Sequence, residues 1–466
     1  MRRSATITTT TAWDRFRNDV RTATVAGAVE QVERLTWNSE RIHQAQRDGL
    51  RTLLHHAAEH SPFHRRRLAG IDLTAIDPAD LSALPVMTKT DMMDDLDEVF
   101  TDRRLRCRDV EAALAVNGTQ PVPILDDYVA LASGGCSGRR GLFVFDRSAM
   151  TAYGAALSRA PITDHAAPAF DPPPGLHVAL VAAPSAVHAT GFFAALTVTD
   201  GWPLRYELVP ATLPLTQIVE RLNTLQPPML GGYASMLAQL AREAQAGRLR
   251  IAPAQVNSSS ETMLPEMRSL TTDAFGVPVL DHFACTEGLV GKTAKGDDVF
   301  TFNTDMCVVE LVDVDNRPVP PGVPSAKVLV TNLTNLTQPL IRYELNDVLV
   351  REPDAVVHGY LRARVQGRSD DVLRYSSADI HPIVIRSVMV RSPGVIDYQV
   401  HQATSGINVF AVATDGLDVD DLTLQLRRAL ADAGLGDAHV AVNRVDRLER
   451  QPASGKLRRF VPIPAP

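Results

Sequence analysis

A change of hydrophobic rhythm along the chain constrains its fold more than any single motif. From about residue 129 onward, short apolar runs rich in β-branched residues alternate with Ala- and Leu-rich stretches: HVALVAA, then GFFAALTV, PPMLGGYASMLAQLAREAQAG and VPVLDHFA. Such runs suit strands buried on both faces, and the stretches between them suit covering helices, so an α/β layout with largely parallel strands is predicted. Residues 308 to 350 break that rhythm. VVELVDV, AKVLVTNL and DVLVRE are separated by the turn-rich NRPVPPGVPSA, which suits hairpins of a β-rich antiparallel subdomain. After GRSDD at 367 to 371 the pattern is mixed again and ends in DDLTLQLRRALADAG, a helical stretch, and a polar tail. The predicted class is therefore α/β, divided at Asp370. A large N-terminal domain of mixed α/β layers spans 1–369, and a small, mobile α+β C-terminal domain spans 370–466.

Upstream, LLHHAAEHSPFHRRRL carries apolar residues at helical spacing, interrupted near Pro62. The opening MRRSATITTTTAW has two arginines but no apolar stretch behind them, so it reads as a frayed tail and not as a secretory signal. Gly175 to Val198 is apolar but contains Pro184, His177 and His188, which suits a buried strand, loop and helix better than a membrane span.

The 466 residues are 45% hydrophobic and 22% charged, a globular balance with length for two or three domains. A formal net charge of -7 argues against a nucleic-acid backbone as partner, because such partners select a basic excess. Neither nucleic acid nor a membrane is expected as a partner; the run Arg65 to Arg67 reads as a solvated helix face. Four cysteines, Cys107, Cys136, Cys285 and Cys307, are too scattered for a disulfide framework, and none forms a CxxC pair. A reducing cytoplasm is the expected location, with no structural zinc, since Lys295 and Asp297 interrupt the stretch between the last two cysteines.

Five segments could carry chemistry. Ser133-Gly134-Gly135-Cys136-Ser137-Gly138-Arg139 follows the apolar YVALA. Its glycines would let backbone N–H groups approach phosphate oxygens, although it lacks the Walker pattern and a plain surface turn is an even alternative. Phe283-Ala284-Cys285-Thr286-Glu287-Gly288 follows a strand-like run. Thr286 and Glu287 there could offer a phosphate hydrogen bond and a Mg²⁺ ligand, or simply cap a helix. Asp347 closes a strand in PLIRYELND, where a carboxylate can accept both ribose hydroxyls or end a turn. Gly367-Arg368-Ser369-Asp370-Asp371 and Ser454-Gly455-Lys456-Leu457-Arg458 complete the set, and a lysine in such a loop is ordinarily solvated.

In this order the five segments resemble the adenylate-forming superfamily of acyl-CoA synthetases, adenylation domains and luciferases, over residues 50 to 460. The opening LLHHAAEHSPFHRRRL and the segment LPVMTKTDMMDDL resemble its phenylacetate-CoA ligase branch. The resemblance implies ATP and Mg²⁺ as cofactors, with CoA as candidate acceptor. It implies a phosphate loop at Ser133 to Ser137, extending to Gly138, and Thr286 on the α-phosphate. Glu287 would ligate Mg²⁺, Phe283 would lie against adenine, and Asp347 would hold the ribose with Arg368 beside the nucleotide. Asp370 would be the hinge, and Lys456 would bridge acid and α-phosphate. Glu261, in SSSETM, matches a segment near the adenine and acid sites; His188 and Phe192 fall where the branch places its acid pocket. His177, His188 and His282 otherwise read as hydrogen-bonded structural histidines.

Several positions depart from the family. Cys136 replaces a hydroxyl, and Arg139-Arg140 replaces Lys-Pro. Ser377, in RYSSADIHP, replaces a glycine that lines the pantetheine tunnel, and Arg386 replaces a glutamate. A side chain at 377 narrows that path. Three functions follow: activation of a small, aromatic acid for transfer to CoA; activation of a small acid, nitrite included, for attack by an amine; or nucleotide binding without turnover. The acid and the oligomeric state, homodimer included, are not set by the sequence.

Overall fold

The computed structural model describes residues 11–116, 118, 120–133, 140–159, 176–197, 204–353 and 358–463. Its backbone is a nine-stranded sheet whose two halves differ. One half runs parallel in the spatial order Leu204–Pro210, Leu176–Ala182, Met229–Tyr233, Gln255–Ser259 and Val279–Ala284. The other runs antiparallel through Val290–Thr293, Phe300–Phe302, Arg362–Arg368 and Asp347–Arg351. Met229–Tyr233 is buried throughout, as a strand covered on both faces requires. Helices Leu215–Leu225, Ala234–Gln245 and Pro265–Phe275 contribute to one core around Val181, Leu230, Leu237 and Val256.

Residues 307 to 345 form an antiparallel three-stranded sheet of Cys307–Val312, Lys327–Asn332 and Tyr343–Leu345. The next strand, Asp347–Arg351, leaves it for the large sheet. Asp347 therefore opens a strand, whereas the sequence suggested that it closes one, because the chain breaks at Asn346 and re-pairs with Arg368. Tyr128–Ala132 and Leu142–Asp146 form a hairpin with Ala132 opposite Leu142, so the glycine-rich segment occupies its connection.

At the start of the chain, Thr11 and Asp14 form a capping box on the helix Ala12–Ala26. Trp13 is buried in the core, so Ala12 and Trp13 belong to a helix and not to the expected frayed tail. Ser61 ends the helix Ser39–His60 and caps the next, Pro62–Arg67, which explains the interruption near Pro62.

From residue 373 the chain builds a four-stranded sheet in the order His439–Arg444, Gly406–Ala413, Val395–Ala403, Phe460–Val461, with helices Pro382–Met389 and Val419–Asp432. Leu373, Ile380, Ile385, Val400, Val409, Leu422, Leu426 and Leu430 are among the members of its own buried cluster. No helix among the described residues is long and apolar enough to cross a membrane.

Candidate active site

The candidate residues fall into an acidic group and a basic group. The acidic group lies where the large sheet changes from parallel to antiparallel, the kind of place where open α/β sheets leave a crevice at strand ends. Val279–Ala284 ends there, and the chain turns through Thr286-Glu287-Gly288 back into Val290–Thr293. No helix follows Thr286, so the capping alternative does not apply. Thr286 Oγ1 donates to Glu287 Oε2 at 3.2 Å. Gly288 holds φ +105°, and a Cβ on it would fall 2.2 Å from Asn332 Nδ2, which donates to the Glu287 carbonyl at 2.9 Å. Glycine is needed here for both the conformation and the approach. Phe283 packs edge-to-face on Phe302, centroids 5.5 Å apart.

Glu287 is 6% exposed and Asp347 8%. Burial pushes the Asp347 carboxyl up to about 6; Arg368 at 3.6 Å opposes this, while the charges of Glu287 and Asp370 reinforce it. Arg368 also grips Asp370, Nε to Oδ1 at 2.8 Å and Nη2 to Oδ2 at 3.0 Å. Asp371, which the sequence reading left unassigned, is pushed up to about 7 by burial and then by Asp370. The structure thus gathers Thr286, Glu287, Asp347, Arg368 and Asp370 into one crowded neighbourhood, in which, against the effect of burial, Arg368 and Arg458 hold the Asp370 carboxyl below its ordinary value.

The basic group centres on Lys456. Its Nζ lies 5.6 Å from the ring centroid of Tyr233, at the end of a parallel strand. His188 is held below its ordinary pKa by burial first and then by the Lys456 charge, so it is neutral at neutral pH and faces the lysine's field. Glu261 follows the strand Gln255–Ser259, and each of its oxygens accepts a backbone N–H: Oε2 from Ser235 at 2.9 Å, Oε1 from Leu457 at 2.7 Å. Sequence reasoning missed Tyr233, Ser235 and Arg450; the only advance signal was the basic residue just ahead of QPASGK.

Phe192 is fully buried between Trp13 and Phe193, centroids 5.6 and 5.7 Å away, which is a core position. Ser133 closes its hairpin, Oγ accepting from Gly141 N at 2.9 Å. Gly134, Gly135, Cys136, Ser137 and Gly138 lie outside the described residues. His282 pairs with Lys292 across two strands and is held well below its ordinary pKa by burial. The Cys285 and Cys307 thiols are pushed up by burial, and Cys307 Sγ donates to Asn303 O at 3.4 Å.

No family profile matches the chain. Protein CapK of Staphylococcus aureus is 24% identical over 225 residues, 46% of this chain and 49% of CapK, so the chain spans about half of that relative. The phenylacetate-coenzyme A ligase of Thermus thermophilus is 23% identical over 388 residues, 79% of each chain. Among solved structures, 2-hydroxyisobutyryl-CoA ligase in the postadenylation state in complex with R3-HIB-AMP superposes with a TM-score of 0.68. That match has 19% identity and covers 92% of this chain and 91% of the ligase. The same ligase with 2-HIB-AMP and CoA in the thioesterification state, at 19% identity and the same coverage, gives 0.54. The architecture is that of the adenylate-forming ligases, with a large N-terminal and a small C-terminal part. In fold the chain is thus similar to these acyl-CoA ligases, and in sequence it is similar to phenylacetate-coenzyme A ligases.

Proposed function

We propose that the chain uses ATP to convert a small carboxylic acid into an acyl-adenylate, releasing pyrophosphate, and passes the acyl group to CoA. The observation that supports this reading is that the loop of Lys456 is tied both to the large domain and to the boundary segment beside Arg368: Leu457 N donates to Glu261 Oε1 at 2.7 Å and Arg458 Nη2 to Asp370 O at 3.4 Å. Thr286, Glu287, Asp347 and Arg368 come from the large sheet, and Lys456 is brought in by the C-terminal loop. A purely nucleotide-binding protein has no need of a lysine delivered this way.

In the first step a carboxylate oxygen of the acid attacks the α-phosphorus, an O–P bond forms, and the bond to the β-phosphate oxygen breaks with its electrons on pyrophosphate. Asp347 accepts the ribose hydroxyls, Thr286 donates to the α-phosphate, and Lys456 offsets charge that develops on the transferring group. Glu287 fits a Mg²⁺ ligand, because a buried carboxylate beside a second one is relieved by a cation. Bound there, Mg²⁺ would neutralise phosphate charge. Among the described residues no group of three or more His, Cys, Asp or Glu is arranged to hold a metal, so its other ligands would be phosphate and water. In the second step, the C-terminal part rotates about Asp370 and the CoA sulfur attacks the acyl carbon, expelling AMP.

A second reading keeps adenylation and changes the acceptor to an amine, with the acid as small as nitrite. It draws on Ser377, which is exposed, and on Arg386, which in place of the family's glutamate pairs with Glu266 at 3.0 Å. Pyrophosphate release is the test, measured with a panel of aromatic and aliphatic acids and with nitrite, each alone, with CoA, and with an aryl amine. The proposal expects acid-dependent release with turnover raised by CoA. Turnover raised only by the amine moves the assignment to the second reading, and release with no acid or nitrite overturns adenylation.

A further inference from the structure

The loop that carries Lys456 is closed on itself. Gln451 N donates to Lys456 O at 2.9 Å, Gly455 N to Gln451 O at 2.8 Å, and Ser454 Oγ to Gln451 Oε1 at 2.9 Å. Two connections then tie this loop to the large domain, and both converge on Ser235. Arg450 Nη1 donates to Ser235 Oγ at 3.0 Å and to Gly455 O at 2.9 Å. Glu261 spans the same gap from the other side, one oxygen on the Ser235 N–H and the other on the N–H of Leu457, the residue next to Lys456. Ser260, just ahead of Glu261, holds φ +67°, a conformation that a residue with a side chain adopts only where the surroundings demand it.

We infer that Glu261, together with Ser235 and Arg450, is a positioning clamp that sets Lys456 in its adenylation position, and that Glu261 does not act as a nucleotide ligand. Both carboxylate oxygens are engaged by N–H donors, one from each domain, and hydrogen bonds to an ionised acceptor are the stronger kind. The Leu457 N–H is one peptide unit from the Lys456 backbone, so releasing it lets the ammonium drift, and a misplacement of about 1 Å at a reacting group costs on the order of 10²-fold in rate. The kinetic arm of this inference rests on the adenylation reading; the structural arm does not.

The test uses the full chain as wild type, Glu261→Gln, Lys456→Ala and the double variant. Hydrogen exchange without substrate comes first. The Leu457 amide is expected to be protected in the wild type and to exchange about 10-fold faster or more in Glu261→Gln, with the amides of the large sheet unchanged. Fast exchange in the wild type, or no change in the variant, overturns the clamp. Kinetics come second: Glu261→Gln slows adenylation by about 10- to 100-fold, the loss expected for one charged hydrogen bond, with KM for ATP within about twofold. The double variant is no slower than Lys456→Ala alone, since the clamp acts only through the lysine. A raised KM for ATP, or effects that multiply, assigns Glu261 to the nucleotide and overturns the inference. If the wild type releases no acid-dependent pyrophosphate, the adenylation reading falls and the exchange result alone decides the clamp.

Discussion

The two halves of the candidate site are built in opposite ways. Glu287 and Asp347 are set into the body of the large domain: Gly288 is wedged against Asn332, Asn332 holds the Glu287 backbone, and Asp347 is fixed by pairing with Arg368. Lys456 sits on a loop at the far end of the chain, held to the large domain by Glu261, Ser235 and Arg450 and by Gly455 against Ala211. The acidic half is preorganised at a cost in stability, since burial pushes the Asp347 carboxyl up to about 6. The basic half is held by a few hydrogen bonds from a loop, which is what the proposed rotation about Asp370 would require.

Equivalent glycine substitutions should separate the halves. Gly288→Ala puts a methyl group 2.2 Å from Asn332 Nδ2 at φ +105°, so the backbone is strained and the Asn332 amide must swing away and give up its hydrogen bond to the Glu287 carbonyl. The expected loss is about 2–4 kcal/mol of stability together with ATP binding, read by thermal unfolding and nucleotide titration. Gly455→Ala meets Ala211 at 2.9 Å at φ +73°, but the loop can escape by lifting away. Adenylation should slow by about tenfold, the equivalent of about 1.4 kcal/mol, while the unfolding midpoint stays near wild type. An equal loss of stability in both variants would erase the distinction.

A smaller effect comes from the Asp347 carboxyl, pushed up to about 6 by burial. A carboxyl raised in the folded state favours folding at low pH, and that contribution is lost as pH rises through 6. Asp347→Asn should therefore stabilise the free protein at pH 7 to 8, relative to wild type, and leave it little changed near pH 4. Its effect on ATP has the opposite sign: the wild type loses affinity as pH falls below about 6, up to tenfold per pH unit, and the variant is weak at every pH. Parallel pH profiles of unfolding and ATP affinity check both signs.

Part of this arrangement was legible in the sequence. The alternation of strand-like and helical runs gave the α/β layout, and the turn-rich stretch at residues 313 to 326 separates two antiparallel strands. The order of the five segments pointed to Thr286, Glu287, Asp347, Arg368 and Lys456. What stayed hidden depends on register and long-range approach. Asp347 opens a strand because the chain changes sheets at Asn346, which periodicity does not register. The Arg450–Ser235 contact joins residues 215 apart, and two of the clamp's bonds use backbone N–H groups that carry no sequence signature. Phe192 had been placed in the acid pocket by its position alone, but its neighbours Trp13 and Phe193 make it core.

The central claim is that Lys456 acts on the reacting phosphate from a separately mounted loop, and single-turnover adenylation by Lys456→Ala tests it most directly. Loss of one preorganised charged donor typically costs about 10²–10³-fold in rate. The account predicts a loss of that size in acid-dependent pyrophosphate release, with ATP affinity and the unfolding midpoint near wild type, because the lysine contributes mainly in the transition state. Wild-type adenylation by Lys456→Ala, measured with an acid that the wild type activates, would contradict it.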